Sequence, residues 1–210
     1  MRARCMSVLL LFAAAVLVGA ESIAELKSKA SAGDVDAQAR LAAAYFQGEG
    51  VPEDHAQALR WAAVPAEQDD LFCAQMIAQI HYKGTGVKRD LPAALRWFRN
   101  AAILGDSTAA FTAGLMMEEG HGVAKNPVEA LSWYRLAMEL PSGSPAASVR
   151  AKALEAKLTA PQKVEATGGA AALLGRAKAK KAALDDRRLA VLKAANPGIP
   201  VEELRKQLPR

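Results

Sequence analysis

Residues 37–61 read AQARLAAAYFQGEGVPEDHAQALRW, and closely similar stretches follow at residues 73–97 and 109–133. Each copy contains a run rich in small and aliphatic residues, a Gly-x-Gly-Val turn and an Ala-Leu-x-Trp ending. The copies are offset by 36 residues without an insertion. A period in the mid-thirties is typical of solenoids built from pairs of helices. The sequence therefore predicts an all-α solenoid of about three helix-turn-helix repeats.

Nine positions carry the repeat: two turn glycines and one tryptophan in each copy. They are Gly48, Gly50, Trp61, Gly84, Gly86, Trp97, Gly120, Gly122 and Trp133. Glycine accepts positive φ and lets two helices approach closely, so the glycines predict tight turns. The tryptophans recur at one position of every copy, which favours packing in the core over an aromatic cage for a ligand.

Capping signals predict where the helices of these copies begin and end. Asp90 and Asn126 precede the second helices as N-caps, and each is followed within two residues by a proline suited to the first helical turn. Residues 21–32 read as the second helix of an incomplete preceding unit. In the first copy, Asp69 occupies the position at which a glycine ends the second helix of other units. Pro65 is expected to cut the second helix of the first copy short.

The repeat pattern ends at residues 141–145, which read PSGSP. We therefore expect a repeat solenoid over residues 21–145 and C-terminal capping helices over residues 146–166, since a solenoid needs a cap on its last apolar face. A basic helical tail rich in Ala and Lys follows over residues 167–210. The pair Gly168-Gly169 is expected to end the last capping helix before the tail begins.

The chain opens with two arginines among its first four residues and continues with an apolar run that reaches Val18. With the small residues Gly19 and Ala20 behind it, this pattern predicts a signal peptide over residues 1–20, cleaved after Ala20, and an exported protein, periplasmic or secreted. The apolar run is shorter than the roughly 20 residues that span a bilayer. Retention as an uncleaved membrane anchor remains the alternative.

Removal of the leader takes Cys5 away and leaves Cys73, so the mature chain forms no internal disulfide. Cys73 occupies the place that Ala37 and Ala109 hold in the other copies. That equivalence favours a small buried side chain over a reactive thiol.

Charge is distributed unevenly along the chain. Residues 21–145 carry 11 Lys and Arg against 16 Asp and Glu, whereas residues 146–210 carry 14 against 6. This imbalance predicts an acidic-leaning solenoid with a basic tail that can meet an anionic envelope surface, although a solvated helix face is the simpler interpretation. The basic stretch at residues 176–181 has no interleaved aromatic residue, so we expect no nucleic acid partner.

The sequence assigns no catalytic, metal-binding or cofactor-binding residue. The Gly-x-Gly-Val turns follow helices and lack the third glycine of nucleotide-binding loops. His55, His81 and His121 do not stand at metal-ligand spacings, and no nucleophile elbow is present. Three equivalent copies also speak against catalysis, because each copy would need its own site.

The pattern from Ala37 to Trp61 resembles the Sel1-like repeat, a relative of the tetratricopeptide repeat, and the resemblance extends over roughly residues 22–166. The double-glycine turn and the 36-residue period distinguish it from the shorter tetratricopeptide unit. The resemblance implies a right-handed α/α superhelix whose concave groove binds peptides or proteins, often as an adaptor in bacterial envelope assemblies. It implies no reaction and no cofactor.

Four residues of the first helices are expected to line that groove and contact a protein partner: Gln38, Tyr45, His81 and Met117. Fold analogy carries most of this assignment. Two alternatives remain open. One is a secreted β-lactam-hydrolysing or penicillin-binding enzyme, an activity of cysteine-rich relatives whose paired cysteines this chain lacks. The other is an envelope-docked structural protein that uses the basic tail.

Overall fold

A computed structural model describes residues 22–208, and this part of the chain contains helices and no strand. The predicted leader lies outside the described residues. Ten helices occur in the described part: α1 (Ile23–Ser31), α2 (Val35–Gln47), α3 (His55–Glu67), α4 (Leu71–Lys83), α5 (Leu91–Ile103), α6 (Ser107–Glu119), α7 (Pro127–Glu139), α8 (Pro145–Glu155), α9 (Ala160–Ala195) and α10 (Val201–Arg205).

The predicted all-α repeat fold is confirmed. Each copy is a pair of helices, α2 with α3, α4 with α5 and α6 with α7, and all six helices have 13 residues. The three first helices, α2, α4 and α6, also share their ends, because an aspartate caps the start of each and a left-handed glycine ends it. The caps are Asp34, Asp70 and Asp106, and the terminal glycines are Gly48, Gly84 and Gly120.

Helix α3 departs from the predicted boundary. Pro65 lies inside the helix and is fully buried, and α3 continues to Glu67. The prediction that Pro65 shortens the helix was wrong. Pro65 lies close to the C-terminus of α3, so its missing N–H removes only one hydrogen bond and only two residues of the helix follow it. Asp69 then adopts a φ of 74°, the left-handed conformation that Gly33 and Gly105 adopt at the equivalent turns.

The chain forms two compact units with a boundary between Pro65 and Ala66. In the first unit, α1 packs against α2. The buried side chains at this contact come from one face of each helix, and Ile23, Tyr45 and Trp61 pack against them. The buried residues are Leu26, Ala30, Ala37 and Leu41.

In the second unit, consecutive helices from α4 to α8 pack against each other. Alanines and one glycine keep the helix axes close. A Cβ placed on Gly114 of α6 would lie 2.7 Å from the ring of Tyr134 on α7, so only glycine fits there. The ring of Tyr134 is fully buried, and its hydroxyl donates to Glu118 Oε2 at 2.6 Å.

The C-terminal region also differs from the prediction. One helix of 36 residues, α9, runs through Gly168 and Gly169, where a break was expected. It packs on α7 and α5 and carries the short helix α10. A Cβ on Gly169 would lie 2.5 Å from Ser132 Oγ, and that hydroxyl donates to the Ala166 carbonyl at 3.0 Å. Gly169 therefore allows α9 to approach α7 and does not end the helix.

Candidate binding surfaces

Two of the four residues expected to contact a partner lie in the first unit, where they also hold α1 against α2. Gln38 Nε2 donates to the Ala30 carbonyl at 3.1 Å, while its Oε1 is buried without a hydrogen-bond partner among the described residues. Tyr45 is half-buried against the core of this unit, and Lys27 Nζ lies 5.5 Å from the centre of its ring. Both side chains keep part of their surface open.

The other two expected contact residues lie in the second unit and differ from each other. Met117 is completely buried, so a partner does not reach it in this structure, and its assignment to an exposed groove is corrected. A flexible thioether fills an irregular gap in a core readily, which suits Met117 to the packed interior. His81 is half-buried, and its Nδ1 is buried without a hydrogen-bond partner in the described part of the chain.

His81 lines a cleft of about 520 Å³, here called the His81 cleft. Arg89 is held there, because its Nε donates to the Tyr82 carbonyl at 2.9 Å and its guanidinium lies 5.6 Å from the centre of the Tyr82 ring. Asp90 is committed to capping α5 through the Ala93 N–H at 2.9 Å. The cleft thus combines an imidazole with a cationic rim. Its lining residues are His81, Lys88, Arg89, Asp90, Leu91, Pro92 and Gly122.

Helix α9 is anchored at Asp69. Lys180 Nζ lies 2.6 Å from Asp69 Oδ1, and Arg187 Nη2 lies 3.0 Å from Oδ2. The Asp69 side chain is only 8% exposed, so its charge depends on these two cations. The aspartate that replaces glycine at this turn therefore holds α9 in place. Two basic residues of the tail are also engaged within the chain and are not simply solvated.

A cleft of about 980 Å³ lies between α9 and the second helices α5 and α7. Four cationic side chains and one carboxylate line this arginine cleft: Arg96, Arg99, Arg176, Lys180 and Glu129. Sequence reasoning missed the site, although the basic residues were visible, because nothing local predicts that α9 lies beside α5.

A second cleft, about 650 Å³, lies on the other side of α9. Leucines and the exposed ring of Phe72 form much of its wall, with Lys178, Lys181 and Arg188 of α9 at its edge. It has a larger apolar share than the arginine cleft and no comparable excess of positive charge.

The thiol of Cys73 is fully buried and forms no disulfide within the described part of the chain. Burial raises its pKa well above the usual range, and the carboxylate of Asp70 adds to the increase. The thiol is therefore neutral and inaccessible, which confirms the expected small buried side chain and gives no nucleophile.

Within residues 22–208, no three His, Cys, Asp or Glu side chains are placed to hold a metal ion. None of the described helices has the length and apolar character needed to cross a membrane.

Comparison with known proteins agrees with the repeat structure. The Sel1 repeat model matches residues 35–70, 72–106 and 107–142. The crystal structure of a Sel1 repeat protein from Oxalobacter formigenes is 32% identical with a TM-score of 0.52, covering 62% of this chain and 96% of that one. No curated protein matches this chain significantly.

A second structure is c5321, a protective antigen present in uropathogenic Escherichia coli strains and displaying an SLR fold. It is 23% identical with a TM-score of 0.47, and the match covers 78% of this chain and 42% of that protein. This chain thus spans less than half of the antigen. Sel1 repeats generally mediate protein–protein interaction and are typically non-catalytic. With three repeats matched over half of its length, the chain belongs to the Sel1 repeat family.

Proposed function

We propose that this chain is a non-catalytic scaffold that acts in the cell envelope after export and binds a partner protein or peptide through the first-helix surface of its second repeat. The His81 cleft carries the proposal. His81 lines this cleft next to a cationic rim, and its Nδ1 is buried without a hydrogen-bond partner among the described residues. A buried polar atom without a hydrogen bond costs free energy, and a bound partner that supplies the hydrogen bond removes that cost.

The chemistry of the cleft indicates what kind of segment fits it. Arg89 is held in place by its hydrogen bond and its contact with Tyr82, so little side-chain entropy is lost when it binds. Lys88 and Arg89 favour an acidic side chain on the partner, and His81 can exchange a hydrogen bond with the partner's backbone. The packed helices behind the cleft supply a preformed surface.

A photocrosslinking amino acid at position 88 tests this proposal in the source organism. We expect one discrete crosslinked protein, lost in His81→Ala and retained in Gln79→Ala, which changes an exposed residue of the same helix outside the cleft. The same crosslinker at Met138, an exposed position on α7, is the matched control. No product at position 88, or the same products at both positions, would contradict the proposal.

Export is tested separately by sequencing the N-terminus of the protein recovered from the envelope or the medium. We expect the chain to begin at Glu21. If the recovered chain still carries residues 1–20 and sediments with membranes, these residues act as a membrane anchor and not as a cleaved signal peptide. Recovery from the cytoplasm alone would exclude an envelope function.

A further inference from the structure

We propose that the arginine cleft binds a phosphate monoester, either on a small molecule or on a lipid headgroup. This inference is independent of the partner proposed for the His81 cleft. The first observation is the charge of the cleft, which brings together cations from two separate parts of the sequence. Arg96 and Arg99 come from α5, and Arg176 and Lys180 come from α9. Glu129 is the single carboxylate in the wall.

The second observation is how Arg99 is held. One of its Nη atoms donates to Glu129 Oε1, and its guanidinium lies 5.7 Å from the centre of the Trp133 ring. Trp133 Nε1 donates to the same carboxylate oxygen at 3.5 Å. The Nε of Arg99 is nevertheless buried and has no acceptor among the described residues. A fixed guanidinium with an unused donor is well suited to an incoming anion.

The remaining cations differ in availability. Lys180 is held at Asp69, a carboxylate that it shares with Arg187, so its ammonium is less available to an incoming anion. Arg96 lies over the Trp97 ring, 5.7 Å from its centre, and Arg176 is exposed on α9 with no carboxylate paired to either among the described residues. These two arginines belong to opposite walls of the cleft, α5 and α9. An anion between them therefore replaces repulsion between like charges by attraction to both walls.

Phosphate monoesters fit this arrangement better than single carboxylates do. A phosphate monoester carries up to two negative charges and three terminal acceptor oxygens, and guanidinium groups bind such oxygens in pairs. A carboxylate has two oxygens and one charge, which either Arg96 or Arg176 alone would satisfy. Glycerol 3-phosphate is a soluble probe with the required group, and phosphatidic acid carries the same group on a lipid.

Calorimetry with glycerol 3-phosphate and sedimentation with phosphatidylcholine vesicles containing phosphatidic acid test the site on the full chain. We expect the wild-type protein to bind at least one of them, and Arg96→Gln/Arg176→Gln to weaken that binding at least about tenfold. Lys152→Gln/Lys157→Gln makes the same change of charge on exposed residues of the C-terminal cap and should keep wild-type binding. Binding of the soluble probe alone identifies a small-molecule site, and binding of vesicles alone identifies a lipid headgroup.

Three results of these binding experiments would overturn the proposal: no wild-type binding of either probe, equal losses in both double variants, or equal binding of phosphatidic acid and phosphatidylglycerol vesicles. Phosphatidic acid carries a phosphate monoester and phosphatidylglycerol a phosphate diester.

Arginine modification by phenylglyoxal gives a readout that needs no variant. The bound probe should protect Arg96 and Arg176 and leave Arg60 reactive. Arg60 is the matched control because it lies over Trp61 at 5.8 Å as Arg96 lies over Trp97. Equal protection of all three arginines would also overturn the site.

Discussion

Asp69 Oδ1 lies 2.6 Å from Lys180 Nζ, so the turn after α3 is tied directly to the long C-terminal helix. The backbone of Asp69 adopts the left-handed conformation that glycine adopts at Gly33 and Gly105. Aspartate accepts this conformation at a modest cost in free energy. A glycine at this turn would have no side chain. The carboxylate of the aspartate that replaces it is the group that α9 binds, so this departure from the repeat pattern lies where the C-terminal helix docks.

Replacement of Asp69 by asparagine keeps the shape of the side chain and removes its charge. We expect Asp69→Asn to lower the free energy of unfolding by about 1–2 kcal/mol, because Lys180 and Arg187 lose their shared partner while remaining partly solvated. Urea unfolding measures the loss, and hydrogen exchange should show faster opening of α9 near Lys180. Asp36→Asn, which removes an exposed partner of Arg40, should change stability by less than about 0.5 kcal/mol. Equal effects of the two substitutions would contradict this role of Asp69.

The helix pairs were predictable from the sequence because three copies report the same turn and the same caps. A signal that recurs at Gly48, Gly84 and Gly120 outweighs the ambiguity of any single turn. The burial of individual positions was less predictable. Met117 and Tyr45 occupy equivalent places, yet one is core and the other is half exposed. Position in the repeat fixes the backbone, while the neighbouring helices decide the exposure.

The docking of α9, and with it the arginine cleft, could not be predicted because it depends on contacts between residues far apart in the sequence. Locally, Gly168 and Gly169 indicate a helix break, since two glycines lower helix propensity. The structure shows that one of them is required where α9 meets Ser132. In the sequence, only the presence of Asp69 at a glycine position pointed to this docking. Its role could be assigned only once the fold showed which cationic side chains lie beside it.

Those adjacent glycines provide an internally controlled test of the docking. A Cβ on Gly169 would lie 2.5 Å from Ser132 Oγ, whereas one on Gly168 would meet no atom within 4 Å. We expect Gly168→Ala to stabilise the protein by about 0.5–1 kcal/mol through helix propensity. Gly169→Ala should destabilise it by about 1–3 kcal/mol through overpacking against α7. Thermal or urea unfolding checks both, and stabilisation by both substitutions would show that α9 does not pack closely on Ser132.

Gly122 tests a close approach in the turn of the third repeat. Its φ is 77°, and an added Cβ would lie 2.5 Å from the backbone carbon of Leu91. Gly48 has a similar φ of 72°, but the nearest atom to its added Cβ is 3.5 Å away. Gly48→Ala should therefore cost about 1–2 kcal/mol from the left-handed backbone alone. Gly122→Ala should cost about 2 kcal/mol more, because backbone atoms cannot move aside as a side chain can. Equal losses in the free energy of unfolding would remove the steric argument.

The buried thiol of Cys73 makes stability depend on pH under alkaline conditions. Burial raises its pKa far above that of an unfolded cysteine, which is about 8.5. Above that pH the unfolded state binds fewer protons than the folded state, so the free energy of unfolding falls as pH rises, by up to about 1.4 kcal/mol per unit. The contribution is fully present below about pH 8. Urea unfolding between about pH 7 and 9 measures the slope while most tyrosines in the unfolded chain are still protonated.

Cys73→Ala provides the control, because the other repeats place Ala37 and Ala109 at the same position and the backbone accepts alanine there. The variant should lose about 1 kcal/mol at pH 7, since a buried sulfur atom is removed from a packed site. It should then approach the stability of the wild-type protein as the pH rises, because its unfolded state gains no thiolate at this position. Parallel stability profiles for the two proteins would mean that Cys73 ionises in the folded state, and would contradict its burial in a closed core.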